Sequence, residues 1–375
     1  MPIRVLVDLL FFTGRRGGTE TYARAIATRL PQALPDAQFV ALTNRSGADR
    51  VRGFFPGEVH VVDWVGADRL SWAAGEVLAV DRRARRLGAD VVWSPANFAP
   101  LGRSAVPRVT TTHDATYHLR DGGGLGGVVA RVTAWLMGRA ARSSDLVITG
   151  SHTAASEVIA HMGVDPAVVT VIAHGTNEPS VPDDPWSELA ALGIRPGRPI
   201  VMSTGNRLPH KNFEGILRAV ATVEGDRPLV VVPGSRGADP LAPLVERLRL
   251  QGDVVLPGWV SAAQLEALYA CASLYVCPSL EEGFGLPVLD AMRRGCVVLA
   301  NDVPVLREVG GDVAIYADAT SPAPFAAAIR DALADDQTER REAGVRRSSE
   351  YTWERSAEQT ARVIQAAAER SRTGR

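Results

Sequence analysis

The stretch "PIVMSTGNRLPHKNFEG" (199–215) runs from a short apolar segment, through a loop, into a helix-period segment. The loop holds Lys211, the single lysine of the chain: Lys and Arg total 41, so the other 40 basic residues are arginines. The run to Gly205 reads as a buried strand, Arg207 and Lys211 lie in the loop, and a helix is expected from about Asn212, with Asn as its N-cap. A helix N-terminus already favours anions, because its first N–H groups point outward and its dipole is positive there. An ammonium and a guanidinium added at that spot form a phosphate or diphosphate site. Lysine serves there as a compact point charge where the planar fork of arginine would not fit. A solvated loop lysine is the plainer alternative, and the strand–loop–helix setting favours the anion.

The same alternation extends through the chain. The first half offers strands at 3–10, 39–44, 59–64, 90–95, 108–114, 145–151 and 169–175, with amphipathic stretches such as "TETYARAIATRL" between them. The second half offers 199–205, 228–235, 254–258, 274–279, 297–301 and 313–318. Near-continuous Val/Ile/Leu strands with helical crossovers predict parallel sheets covered on both faces. Between the two series, "NEPSVPDDPWSELAALGIRPGRP" (177–199) carries five prolines and reads as a linker. The expected organisation is an N-terminal Rossmann-like domain over 1–176, a linker over 177–198 and a second Rossmann-like domain over 199–350. A helix over 351–375, capped by Thr352 with Glu354 in its first turn, completes the chain. Two doubly wound domains joined this way predict a ligand cleft facing the carboxyl ends of the strands.

Composition excludes several classes. The net charge of −1, with 46% hydrophobic and 22% charged residues, describes a soluble globular chain without the basic face that nucleic-acid binding needs. Cys271, Cys277 and Cys296 show neither metal spacing nor a disulfide framework, so a reducing, cytoplasmic setting is expected. "MPIRVLVDLLFF" reads as a strand rather than a signal peptide, and no apolar run reaches bilayer length.

Three further strand ends carry candidate groups. In "PSLEEGFGLPVLDAM" (278–292) a glycine-rich turn opens a helix near Leu286. Gly283 and Gly285 let the backbone approach a ligand, and Glu282 and Asp290 flank the turn as acceptors for ligand hydroxyls. In "FFTGRRGGTETY" (11–22) Gly17 and Gly18 precede a helix, without the GxGxxG of a dinucleotide site. In "THDATYH" (111–117) His113 and Asp114 end a strand; His113 is either a contact to a substrate hydroxyl or a structural histidine bonded to backbone.

These segments together resemble the retaining glycosyltransferases of family 4, which have the GT-B fold, over nearly the whole chain. "GGTETYARAIATRL" is similar to that family's GG-x-E helix, "THD" to its acceptor-side strand end and "GNRLPHKN" to its diphosphate loop. "YVCPSLEEGFGLPVLDAMRRGCVVLAND" is similar to its E-x7-E element, the most specific of the set. Two positions depart from the pattern: Asp290 stands for the second acid, and His174-Gly175 for the usual Asn-Gly. The resemblance implies that Glu282 contacts the donor sugar and that the amides of Gly283, Phe284, Gly285 and Leu286 hold sugar and phosphate. It implies that Lys211 pairs with the diphosphate, with Asn206 in the usual arginine slot and Arg207 as the partner cation. It also implies that Asp290 reaches the ribose, that Gly17 and Gly18 face the diphosphate, and that His113 lies near the sugar.

The implied chemistry is transfer of a sugar from a nucleotide-diphosphate sugar to an acceptor hydroxyl with the anomeric configuration kept, giving an alpha-type bond. Cations would stabilise the leaving diphosphate. No D-x-D occurs, so no metal and no cofactor is expected. The donor leans toward GDP-mannose or a dTDP-deoxysugar over a UDP-sugar, and the acceptor is a saccharide, cyclitol, natural product or lipid-linked glycan. A GT-B epimerase or phosphorylase and a non-catalytic sugar-nucleotide binder are the competing readings; donor turnover separates the last. Trp259 lies either near the nucleobase or in the core, and the glycine-rich 121–127 reads as a mobile acceptor-side loop. "VDRRARRLG" and "ARVTAWLMGRAARSS" are basic, partly apolar helical stretches. They are expected to be sheet-covering helices with arginines in solvent, and contact with the inner face of a membrane is the less favoured reading.

Overall fold

The computed structural model describes residues 2–14, 17–102, 104–119 and 124–373. The chain forms two compact units, one of Met1–Gly175 with Thr352–Arg375 and the other of Thr176–Tyr351. In the first unit the strands are β1 (Arg4–Leu9), β2 (Gln38–Asn44), β3 (Glu58–Val62), β4 (Val91–Ser94), β5 (Arg108–Thr111), β6 (Leu146–Thr149) and β7 (Val169–Val171). They form a parallel sheet in the order β3-β2-β1-β4-β5-β6-β7. Strands β1, β4, β5 and β6 are almost wholly buried, as apolar runs covered on both faces require.

The second unit holds β8 (Ile200–Met202), β9 (Leu229–Val231), β10 (Val254–Val255), β11 (Leu274–Cys277), β12 (Val298–Asn301) and β13 (Ile315–Ala317). Their order is β10-β9-β8-β11-β12-β13, again all parallel. Both sheets are doubly wound, with the strand order reversing between β1 and β4 in one and between β8 and β11 in the other. The helix Trp353–Thr373 packs in the first unit, where Arg355 N–H donates to the Thr352 hydroxyl oxygen at 3.2 Å and Arg29 pairs with Glu354 at 2.7 Å. Thr352 thus acts as the N-cap.

The segment 177–198 is not a structureless linker. It belongs to the second unit and contains the helix Pro185–Ala190, in which Leu189 is fully buried and Ile194 follows it into the interior. Proline is compatible with a helix at its first position, where its missing N–H would have no partner anyway, and Asp184 caps the helix through the Ser187 N–H. Proline count alone therefore misread this stretch. In the glycine-rich segment, residues 121–123 lie outside the described residues, while Gly124–Gly127 open the helix Gly124–Arg142 rather than a loop.

Candidate functional site

The loops that follow β8 and β11 leave the second sheet side by side, at its topological switch point. The Thr204 hydroxyl and the Tyr275 phenol, 2.8 Å apart, tie the two strand ends together. Lys211 comes from the first loop and Glu282 from the second. Lys211 Nζ donates to Glu282 Oε1 at 2.5 Å, and the Ser279 hydroxyl donates to the same oxygen at 2.8 Å. The loops are also joined through the backbone, with Leu280 N–H donating to the His210 carbonyl at 2.8 Å. Both charged side chains are largely buried, at 17% and 10% exposure. An ammonium and a carboxylate, 71 residues apart in sequence, are thus held at the carboxyl end of the sheet. Beneath them burial pushes the Cys277 thiol up to about 12, with the Glu282 charge adding to the effect, so Cys277 stays a protonated core residue.

Asn212 does precede the helix Phe213–Ala221, but it does not cap it with its side chain. It sits in the left-handed region at φ 49°, which asparagine tolerates better than most residues, and its amide donates to the carbonyls of Pro278 and Ala319. Asn212 therefore pins the Lys211 loop to the segment that leads into Glu282. A groove of about 450 Å³ runs alongside, past Pro209, Phe213, Leu241 and Pro322; neither Lys211 nor Glu282 lines it.

Arg207, expected as the second cation for a diphosphate, is bonded within the second unit. Its guanidinium meets Asp239 at 2.7–3.1 Å and donates to the carbonyls of Gly205, Pro233 and Val232. Both side chains are under one-tenth exposed. Arg207 is neutralised internally and braces the β8 and β9 loops, whereas Asn206 beside it is exposed.

The turn after β11 uses glycine for a physical reason. Gly285 caps the helix Leu286–Arg293 at φ 100°, where a side chain is strained, and a Cβ would lie 3.1 Å from Leu306 Cδ2. Gly283 lies at the partly open surface of the turn, and Phe284 is buried against Tyr351, their rings 6.1 Å apart. Asp290 is placed within the helix and accepts a hydrogen bond from the Thr176 hydroxyl, with Arg294 3.6 Å away. Burial raises its pKa above the usual carboxylate range, partly offset by Thr176 and Arg294.

In the first unit Gly17 and Gly18 open the helix Gly18–Ala33. Glu20, buried, accepts from the Thr13 N–H at 2.5 Å and the Thr13 hydroxyl at 3.1 Å, while Arg50 donates to the Thr13 carbonyl. Residues Thr13–Gly14 are thereby clamped from both sides. His113 is bonded to backbone and to Asn97: Nε2–H donates to the Pro95 carbonyl at 2.8 Å, and its backbone N–H donates to Asn97 Oδ1. Burial lowers its pKa, so the ring is a neutral, fixed tautomer. His174 is buried between Tyr22 and Trp353, at 4.6 and 6.2 Å, and burial drives its pKa well below the usual imidazole value.

Residues 16–178 match the family described as Glycosyltransferase Family 4, and residues 185–348 match Glycosyl transferases group 1. The chain is 30% identical over 291 residues to the O-antigen chain mannosyltransferase B of Escherichia coli, covering 72% of this chain and 73% of that protein. The chain belongs to glycosyltransferase family 4. It is a glycosyltransferase with the GT-B fold of two Rossmann-like domains. A sucrose-phosphate synthase from Thermosynechococcus elongatus superimposes with a TM-score of 0.76 at 18% identity, over 97% of this chain and 98% of that one. Anabaena HepE in complex with UDP and glucose does so at 0.75 and 17%, over 97% and 100%.

Within this family 4 chain, several hydrogen-bonding partners of the candidate residues escaped the sequence reading. Ser279 and Thr176 hold the two acids, Asp239 holds Arg207, and Glu20 holds the loop before the first helix. Ser279 and Glu20 lie inside the quoted motifs and were available as hydroxyl and carboxylate partners. Asp239 lies 32 residues from Arg207 and Thr176 114 residues from Asp290, and no local pattern links them.

Proposed function

We propose that this family 4 glycosyltransferase binds a nucleotide-diphosphate sugar at the Lys211–Glu282 pair. It transfers the hexosyl group to an acceptor hydroxyl with retention, forming an alpha-type bond. The observation that carries the reading is the largely buried Lys211–Glu282 pair at the topological switch point, where doubly wound sheets take their ligands. Lysine has three donors. One is directed at Glu282, and a second reaching a phosphate oxygen would place the diphosphate next to the carboxylate that accepts from sugar hydroxyls. The turn of Gly283, Phe284, Gly285 and Leu286 at the helix N-terminus adds backbone polarity favourable to the same anion. As the bond to the leaving diphosphate lengthens, negative charge grows on it, and Lys211 stabilises that charge in a water-poor site. The leaving phosphate takes the acceptor proton as the acceptor oxygen attacks on the same face.

Asp290 binds the ribose in this reading once the hydrogen bond from Thr176 is rearranged. Gly17, Gly18 and Asn206 contact the donor. His113 contacts the sugar only through groups other than its Pro95-bound nitrogen. Arg207 acts by bracing the Lys211 loop. The reading invokes no resident cofactor. The E. coli relative is a mannosyltransferase, which is consistent with GDP-mannose as donor, while the HepE complex contains UDP. The donor is therefore tested directly. Calorimetric titration with UDP, GDP, dTDP and ADP is expected to give selective binding of one diphosphate. Lys211→Ala is expected to lose that binding and to lower turnover about 10²–10³-fold. Binding of none of them, or binding indifferent to Lys211, removes the basis for the proposal. The anomeric configuration of the product, read by NMR, tests retention.

A further inference from the structure

The helix Arg69–Leu78 turns a glutamate toward the sheet. Leu70, Val77 and Leu78 are exposed, while Gly75 and Glu76 are buried. The helix comes close to its neighbours at Gly75, where a Cβ would lie 2.8 Å from Val65 Cγ2 and 3.2 Å from Leu10 Cδ1. One turn earlier, Trp72 packs on Phe11 at 6.4 Å and edge-on against Phe98 at 4.7 Å. Phe11 follows β1 and Phe98 follows β4, so these rings stand at the topological switch point of the first sheet.

Glu76 is 4% exposed, and Asp8, near the carboxyl end of β1, is 1% exposed. Their carboxyl groups lie within hydrogen-bonding reach of each other. The other donors to them are neutral. Asp8 Oδ1 accepts from the Leu10 N–H at 3.2 Å and Oδ2 from the Ser94 hydroxyl at 3.1 Å, and Glu76 Oε1 accepts from Trp72 Nε1–H at 2.7 Å. Glu76 Oε2 is buried and receives no hydrogen bond. Among the described residues neither acid is matched by a basic side chain. From the helix Val80–Arg86, Asp81 adds a further negative charge, and Arg108 on β5 acts on Asp81. Ionised carboxylates only accept, so a hydrogen bond between two of them requires a proton. Two like charges in a dry interior, without a counter-charge, are strongly disfavoured.

We propose that Asp8 and Glu76 share a single proton, and that this acid–carboxylate pair latches the helix Arg69–Leu78 and its Trp72 indole onto the end of β1. With the proton on Glu76 Oε2, that oxygen donates to Asp8, Oε1 keeps the bond from Trp72, and every carboxyl oxygen has a partner. Burial pushes both carboxyls above their usual range, Glu76 well above it, and the two titrate as a unit. Glu76 is thus a positioning residue: it sets one wall of the crevice through Trp72. Losing the proton leaves two buried negative charges side by side, so the latch opens on the alkaline side. The folded chain keeps a proton that the unfolded chain releases above the ordinary glutamate value of 4.5. The latch therefore stabilises fully below that value and is lost as pH rises toward the folded value.

Infrared difference spectra of the full chain at about pH 7, wild type minus Glu76→Gln, test for the proton. A carboxylic-acid C=O band is expected in the difference, fading as pH rises; Asp290, also raised by burial, cancels because both chains carry it. The glutamine amide supplies the donor permanently. Glu76→Gln should therefore melt with the wild type at about pH 5, while Glu76→Ala melts earlier. Above that pH the wild-type folding constant, from urea midpoints, should fall by up to about tenfold per pH unit relative to Glu76→Gln. Hydrogen exchange in peptides from 66–79 should rise with pH in the wild type and not in Glu76→Gln. Asp8→Asn, whose amide donates in the opposite direction, should flatten the same pH slope and serves if Glu76→Gln does not fold. Absence of the band overturns the proposal, as do equal pH slopes or a Glu76→Gln chain as unstable as Glu76→Ala.

Discussion

Arg207 is paired with the buried Asp239, and Asp239→Ala tests whether that pair braces the loop that carries Lys211. In the wild-type chain Asp239 meets the guanidinium at 2.7, 3.0 and 3.1 Å and also accepts from the Leu241 N–H at 3.0 Å. With both side chains under one-tenth exposed, removing the acid leaves a buried cation without its counter-charge, a loss of about 3–5 kcal/mol. Three carbonyls still accept from Arg207, which places the expected loss at the lower end, about 3 kcal/mol. With a urea slope near 2 kcal/mol/M, the midpoint of the second unit should fall by about 1.5 M. Hydrogen exchange of peptides from 176–351 along a urea series separates that transition from the one in the first unit. Nucleoside-diphosphate affinity should fall less than in Lys211→Ala. A midpoint shift below about 0.3 M, with nucleotide binding lost as fully as in Lys211→Ala, refutes the bracing role and returns Arg207 to the ligand.

His174 has a lowered pKa in the folded state, so its contribution is intact above the unfolded value near 6.5 and is lost as pH falls below it. His174→Asn should flatten the acid-side decline of stability by about 1.4 kcal/mol per pH unit, read from urea midpoints at stepped pH; an unchanged slope contradicts the assignment. Gly175→Ala would place a Cβ 2.2 Å from the Trp353 backbone nitrogen, a clash that backbone must move to relieve. The expected result is a loss of about 3 kcal/mol or more and early hydrogen exchange in the helix Trp353–Thr373; wild-type protection there would contradict it.

How far the sequence alone reached can be followed residue by residue. Strand identity was legible throughout, because a parallel strand buried on both faces must be continuously apolar, and that property is local. The proximity of Lys211 and Glu282 was legible, since both follow strands that doubly wound topology sets side by side. Other features turned on partners distant in the chain. The sequence did not show that Asp239 lies beside Arg207 or that the Pro95 carbonyl accepts from His113. The segment 177–198 became ordered because burial of Leu189 offset what its prolines disfavour. The sequence marked "ARVTAWLMGRAARSS" as a basic, partly apolar helical stretch but did not say which residues met the sheet. That choice rested on packing, which took Ala134, Met137 and Ala141 inward and left Val132 and Trp135 in solvent. Local chemistry thus determined the elements, the family and the charged pair. Which charges stay available to a ligand, and which surfaces stay open, depended on long-range contacts that no window of sequence contains.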